Sequence, residues 1–157
     1  MNNSPPIYHV DEKDLIVGPV DYRTAHTQAI RHRSVQVFVF DNADLETILL
    51  SERAKKAEVS ALKLGPAAGG HVDFGESYED AAVREFAEEL LHSNMANART
   101  YNFVSTGVFF RNDTRATNLE NSKLFLTIGR GPFHPDSNEV ESLIWMNYEL
   151  LRKDVVE

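Results

Sequence analysis

Hydrophobic residues in this chain fall into short segments that alternate with polar or glycine-rich ones. Six of these segments are rich in β-branched, aromatic and aliphatic residues, which is typical of strands. They are residues 15–20, 34–40, 45–53, 101–111, 123–128 and 140–146. Because only the polar residues 41–44 separate the second segment from the third, we expect these two to form a hairpin.

A helical pattern follows Ser77, which we expect to cap the helix at its N-terminus. At about 100° per residue, three glutamates fall within one arc of the helix, and a separate arc is apolar. The acid arc holds Glu85, Glu88 and Glu89, and the apolar arc holds Ala82, Val83, Phe86, Ala87 and Leu90. The pattern therefore predicts a helix packed against a sheet, with its acid face pointing outward.

Shorter helices are predicted over residues 22–30 and 147–156, and the glycine-rich residues 65–70 are predicted to be a loop. Strands on both sides of one central helix, with a last helix behind, imply an α/β fold with a mixed sheet between helices. At 157 residues with 42% hydrophobic content, the chain suits a single domain, 1–157. We expect residues 1–10 to be a flexible N-terminus.

The net charge and the composition of the chain limit the kinds of partner that it could bind. A net charge of −8 argues against a long nucleic acid, whose phosphates require a basic surface. No apolar run approaches the roughly 20 residues that span a bilayer, so we expect no membrane partner and a cytoplasmic protein. The chain has no cysteine, which excludes disulfides, thiolate metal sites and a cysteine nucleophile.

Three carboxylates on one helix face repel one another, and either solvent or a cation must offset that repulsion. By itself, a Glu-x-x-Glu-Glu sequence most often forms an ordinary solvent-exposed face of a helix. Mg²⁺ or Mn²⁺ would fit the same face, because hard divalent cations prefer oxygen ligands. The residues around the three glutamates decide between these interpretations.

Those residues resemble the box of the Nudix family, which reads G-x5-E-x7-R-E-U-x-E-E-x-G-U, where U is a bulky apolar residue. The matching positions are Gly70, Glu76, Arg84, Glu85, Phe86, Glu88 and Glu89. Leu91 stands where the box has its second glycine, which leaves the end of the helix and the following loop uncertain. The resemblance implies a Nudix-type α/β/α sandwich.

The resemblance also implies a set of site residues. The metal ligands would be Glu85, Glu88 and Glu89, a backbone carbonyl of Gly69 or Gly70, and Glu120 from a later strand. The catalytic residues would be Arg84, Glu88, Glu89 and Glu120, with Glu76 in support. Arg84 would orient the carboxylates through a forked contact with Glu76 or Glu85. Either Glu88 or Glu89 could also take the proton of the attacking water.

A second resemblance is to type 1 isopentenyl diphosphate isomerase, a Nudix relative that holds one metal with histidines and glutamates. His26, His32, His71 and Glu120 match that set approximately. The isomerase also needs a cysteine and a glutamate to move protons, and this chain has Gly69 and Ser122 at those positions.

The remaining similarity is to isomerase-like Nudix hydrolases, through residues 11–14 and 131–133. We therefore expect a metal-dependent pyrophosphohydrolase that cleaves a nucleoside diphosphate linked to another moiety, by water attack on phosphorus. One alternative is a domain that binds such a metabolite without cleaving it, and isopentenyl diphosphate isomerase is a further one. The partner is then a small diphosphate, and a homodimer is the default expectation.

Overall fold

The computed structural model describes residues 4–56, 61–112 and 118–156. Within these ranges the strands are β1 (Ile7–Val10), β2 (Ile16–Val20), β3 (His32–Phe40), β4 (Thr47–Arg53), β5 (Leu64–Gly65), β6 (Ala68–His71), β7 (Val104–Asn112), β8 (Glu120–Ile128) and β9 (Val140–Asn147). The helices in the same ranges are α1 (Tyr22–Thr27), α2 (Tyr78–Leu90), α3 (Met95–Ala98) and α4 (Tyr148–Val156). The predicted α/β class with a mixed sheet is confirmed.

Strand β3 is the centre of the sheet. It pairs in antiparallel fashion with β1, β4 and β6, and in parallel with β8. The parallel register begins with His32 beside Glu120. Two residues that are 88 positions apart in the chain are thereby neighbours at one end of the sheet.

The predicted hairpin of β3 and β4 is present, but its two strands share only a short ladder at Val39–Leu49 and Phe40–Ile48. Strand β4 then diverges and pairs along its length with β9. This pairing brings the chain before β9 back towards the middle of the molecule.

The expectation of a flexible terminus over residues 1–10 is wrong for its last part, because residues 7–10 form β1. Ile7 and Val10 are buried, and β1 lies between β2 and β3. The predicted loop over residues 65–70 is also wrong, since most of it belongs to β5 and β6. Glycine permits this close pairing, because a Cβ on Gly69 would lie 2.7 Å from the carbonyl oxygen of Val35.

Two further differences concern helices. Helix α1 is shorter than the predicted segment 22–30, since Gln28 caps it and Ala29 has a positive φ of 52°. Helix α3 has too few residues to show a periodic pattern in the sequence. Within the described residues, none of the helices is long and apolar enough to cross a membrane.

The apolar arc of α2 packs on the sheet as predicted. Phe86 and Leu90 are fully buried in a core cluster that includes Val35, Val37 and Phe125 of the sheet. Full burial of such a side chain contributes about 1.5–3 kcal/mol to folding. The packing fixes the rotation of α2 and therefore the direction of its three glutamates.

Candidate active site

Helix α2 begins with the predicted cap, since the Ser77 Oγ accepts a hydrogen bond from the Asp80 N–H at 3.0 Å. The three glutamates of its acid arc differ in exposure. The Glu88 side chain is 47% exposed, whereas Glu85 and Glu89 are largely buried, at 13% and 8%. The predicted outward face is thus wrong for two of the three, because β6 covers them.

Arg84 is the centre of the carboxylate network. Its Nε and Nη2 donate to the two oxygens of Glu76, both at 2.9 Å, which is a forked contact. Its Nη1 donates to Glu85 at 2.8 Å and to Glu88 at 3.2 Å. Both of the contacts expected for Arg84 are therefore made, and the guanidinium fixes three acids in place.

Strand β6 contacts the other side of the acid arc. The Gly69 N–H donates to Glu89 Oε1 at 3.2 Å. A Cβ on Gly70 would overlap the carboxylate of Glu85, so only glycine leaves room for that side chain. The contact with Glu85 thus requires glycine at position 70, whereas the bond to Glu89 uses a backbone N–H of Gly69 that any residue except proline would supply.

Burial makes it energetically costly to ionise the carboxyl groups of this site. It raises the pKa of Glu85 to about 7, against the opposing effect of Arg84. Burial, followed by the charge of Glu85, raises the pKa of Glu89 to about 8. Two neighbouring carboxyls with raised pKa values are typical of functional sites, where the rest of the protein holds them in place against their own repulsion.

The residues present fit a hard divalent cation. Glu85, Glu88 and Glu89 supply oxygen ligands from one face, and buried charges of one sign are stable only when paired or bound to a metal. A cation would favour the ionised forms whose pKa values burial raises.

A second cluster lies on the other side of His71. The ligand nitrogens of His26, His32 and His71 are all within 4.8 Å of one another. The Nδ1 atoms of His26 and His32 each lie 2.8 Å from a backbone carbonyl oxygen, which orients the two rings. The Nε2 atoms of His32 and His71 are buried and have no hydrogen-bond partner within the described residues.

Glu120 belongs to this second cluster. Its Oε1 lies 3.8 Å from the Nε2 of His32 and 3.6 Å from the Nε2 of His71. Burial, followed by the charge of His32, lowers the pKa of His71 to about 4. That imidazole is neutral at pH 7, which is the form that binds a metal.

The site residues named from the sequence thus fall into two groups, one around Arg84 and one around the histidines. His71 connects them, because its side chain is in the histidine cluster while its carbonyl oxygen accepts from Arg84 Nη2 at 2.8 Å. The structure places Glu120 with the histidines. The resemblance to the isomerase had grouped Glu120 with the histidines, and the parallel register of β3 and β8 is what brings it beside His32.

The two positions that an isomerase would use for proton transfer hold no such group. Gly69 is bonded to Glu89 through its backbone, and Ser122 is fully buried, with its hydroxyl bonded to that of Ser34. Neither residue exchanges protons readily near neutral pH.

One residue near the site was missed from the sequence. Glu139 lies in the turn before β9, and its negative charge helps to raise the pKa values of both Glu85 and Glu89. A single glutamate in a polar loop has no periodic or motif signal, so only the fold could reveal it.

Fold and site together define a mixed α/β domain whose helix α2 carries a cluster of partly buried carboxylates, and the comparisons assign its family. The model of the NUDIX domain matches residues 30–157. The chain belongs to the Nudix family. A Nudix hydrolase of Yersinia pestis is 28% identical over 137 residues, which are 87% of this chain and 70% of that protein. With such relatives, the chain is a hydrolase.

Solved structures show the same fold. The crystal structure of DR0079 from Deinococcus radiodurans superposes with a TM-score of 0.75 at 21% identity, over 96% of this chain and 88% of that one. The NUDIX domain of Shewanella oneidensis NrtR, solved in complex with ADP ribose, gives a TM-score of 0.57 at 17% identity, over 77% of this chain and 75% of that one.

Proposed function

We propose that this hydrolase is a metal-dependent pyrophosphohydrolase, which cleaves a nucleoside diphosphate linked to another moiety by attack of water on phosphorus. The observation that carries the proposal is the convergence of Glu85, Glu88 and Glu89 around Arg84 and β6. A diphosphate is the substrate class that fits, because its oxygens and these carboxylates bind the same cations.

The residues have distinct tasks in this proposal. Glu85, Glu88 and Glu89 would hold Mg²⁺ or Mn²⁺, with the carbonyl of Gly69 or Gly70. When bound, the cation supplies charge stabilisation at the phosphoryl oxygens and a lowered pKa of water. Arg84 orients three acids through its five donors, and its bonds to Glu76 prevent it from turning towards substrate.

We also propose that His26, His32, His71 and Glu120 hold a second metal ion. Support comes from the buried, unpartnered Nε2 atoms and from the lowered pKa of His71. Nitrogen ligands suit Zn²⁺ or Mn²⁺ better than Mg²⁺. In this arrangement Glu120 serves the histidine site.

Metal content after purification without chelator tests the histidine site. We expect close to one equivalent of zinc or manganese in the wild type and much less in His26→Gln. His134→Gln is the matched control, since the exposed ring of His134 stacks on His92 and is not one of the three histidines of the cluster. A wild type without such metal would contradict the second site.

Two other functions are distinguishable from the proposed one. The first is a domain that binds its metabolite without cleaving it, but the intact carboxylate set favours catalysis. Isopentenyl diphosphate isomerase is less favoured, because Gly69 and Ser122 cannot move protons on an alkene. A homodimer remains a prediction from the sequence.

The experiment is a turnover assay with Mg²⁺ and with Mn²⁺ across a panel of diphosphates. The panel contains nucleoside triphosphates, nucleotide sugars, ADP-ribose, dinucleotides and isopentenyl diphosphate. We expect metal-dependent cleavage of at least one nucleoside diphosphate derivative, with ¹⁸O from water in a phosphate product. Tight binding without cleavage would support the sensor, and double-bond migration in isopentenyl diphosphate would support the isomerase.

A further inference from the structure

A groove of about 390 Å³ lies between helix α2 and the short helix α3. Ligand pockets in proteins have volumes of roughly 300–1,000 Å³, so the groove has room for part of a small molecule. Arg84 and Glu88 line it, and both also belong to the network that orients the box glutamates. The groove is therefore continuous with the acid site.

One part of the groove lining is apolar and ends at a planar cation. Val83 and Met95 are partly buried against the core cluster of α2, and both also line the groove. Arg99 is exposed at the end of α3, and its side chain has no hydrogen bond or ion pair within the described residues. Thioethers and guanidinium groups both make favourable contacts with aromatic rings. These side chains together fit a flat ring.

The acids of the groove differ in what they have left to offer a ligand. Both oxygens of Glu76 accept from Arg84. Asp80 Oδ2 accepts from the Ser77 hydroxyl, and within the described residues its Oδ1 accepts from no donor. A free carboxylate oxygen accepts from hydroxyl and amino groups but repels a phosphate. This part of the groove therefore fits a neutral group with O–H or N–H donors.

We propose that the groove between α2 and α3 binds the nucleoside part of the substrate. The base lies against Met95 and Arg99, and the donors of the nucleoside face Asp80. A nucleoside combines a flat ring with hydroxyl donors and carries no charge of its own, which matches both parts of the lining. The inference rests on the proposed function, because it places the nucleoside next to the diphosphate that the box glutamates hold through a cation.

Methyl NMR of the methionines tests this location without depending on turnover. The chain has three methionines. Of the two that the structure describes, Met95 lines the groove and Met146 packs against a different core cluster. In protein labelled with ¹³C-methyl methionine, we expect nucleoside 5′-monophosphates with Mg²⁺ to shift the Met95 signal and to leave the Met146 signal unchanged. Inorganic phosphate with Mg²⁺ should move neither signal, and Met95→Leu assigns the signal by its loss.

The variant Arg99→Gln tests the contact with the base. We expect the Kd of the nucleoside monophosphate, measured from the Met95 shift, to rise about fivefold, because an exposed cation on a ring contributes up to about 1 kcal/mol. Arg152→Gln is the matched control, since Arg152 is exposed on α4 and pairs with Glu149. It should bind the nucleotide like the wild type, and an unchanged Met146 signal shows that each variant is folded.

A Met95 signal that does not respond to millimolar nucleotide would overturn the inference, whatever the turnover assay gives. Equal nucleotide affinity in Arg99→Gln and the wild type would overturn the place given to the base. The proposed function fails separately: if Met95 responds to the nucleotides but no diphosphate is cleaved, the groove binds a nucleoside and the hydrolysis is contradicted.

Discussion

At the scale of single residues, the site depends on atoms that touch the carboxylates rather than on the carboxylates alone. Gly70 leaves the space that Glu85 occupies, Gly69 donates to Glu89, and Arg84 bonds Glu76, Glu85 and Glu88. Each of these contacts fixes one oxygen of a glutamate. The arrangement of charge is set before any ligand arrives, which is what preorganised sites require.

Replacing Gly70 by alanine tests this directly. The added Cβ would overlap the Glu85 carboxylate, so that side chain must move away from the position in which it accepts a hydrogen bond from Arg84. A displacement of about 1 Å at such a site costs on the order of 100-fold in rate, and we expect a loss of that size in kcat. Gly65→Ala is the control, since nothing lies within 4 Å of a Cβ there and its φ is not positive. Equal activity in both variants would contradict the role given to Gly70.

At the scale of elements, helix α2 has a standard N-terminal cap but an unusual C-terminus. Ser77 caps the first turn, and Leu91 stands in place of the glycine that would end the helix. The left-handed conformation falls instead on His92 and Ser93, with φ of 50° and 60°. Such angles are costly for non-glycine residues. The turn is held by the Ser93 N–H, which donates to the Ala87 carbonyl at 2.8 Å, and the His134 N–H donates to the Leu90 carbonyl at 2.8 Å.

The cap at Ser77 gives a prediction about stability. Ser77→Ala removes the acceptor of the Asp80 N–H, so we expect the free energy of unfolding to fall by about 1 kcal/mol. Urea denaturation measures this difference. Ser77→Thr keeps a hydroxyl that can accept from the Asp80 N–H and donate to the Asp80 carboxylate, and it should retain most of the stability. If the alanine and threonine variants are equally destabilised, the capping bond does not stabilise α2.

The sequence predicted those elements whose pattern is local. The helix of the box follows from its period, and β3, β4 and β9 follow from their β-branched residues. Strand β6 was read as a loop because its glycines have no side chains to form a pattern, and pairing with β3 decides its conformation. The site follows the same division. The box glutamates are readable from a local motif, whereas Glu120 could be grouped with the histidines only through the resemblance to the isomerase, because a long-range register brings it beside His32.

At the scale of the whole molecule, strand β6 lies between two sites, the acid site of helix α2 and the histidine site. The acid site holds two buried carboxyls whose pKa values rise from an ordinary 4.5 to about 7 and about 8. At pH values between 4.5 and these raised pKa values, the folded state binds more protons than the unfolded state. The metal-free protein is therefore less stable at high pH, which is the cost of keeping the site in place.

This cost predicts the pH dependence of melting. The stabilisation is fully present below pH 4.5 and is lost as the pH rises through 7 and 8, so the metal-free protein should melt several degrees lower at pH 9 than at pH 6. Mg²⁺ should restore much of the loss at pH 9, because it binds the ionised forms. Scanning calorimetry with and without chelator measures both effects, and Glu89→Gln should reduce the pH dependence. A melting temperature that rises steadily from pH 6 to pH 9 without metal would contradict this account.

The central claim is that the carboxylates of α2 hold the cation on which hydrolysis depends. Its most direct test is the turnover of the best substrate by Glu88→Gln and Glu89→Gln at saturating Mg²⁺. We expect kcat to fall by several orders of magnitude in both, with melting temperatures close to that of the wild type, because the apolar arc of α2 that packs on the sheet is unchanged. Retained turnover in both folded variants would contradict the mechanism.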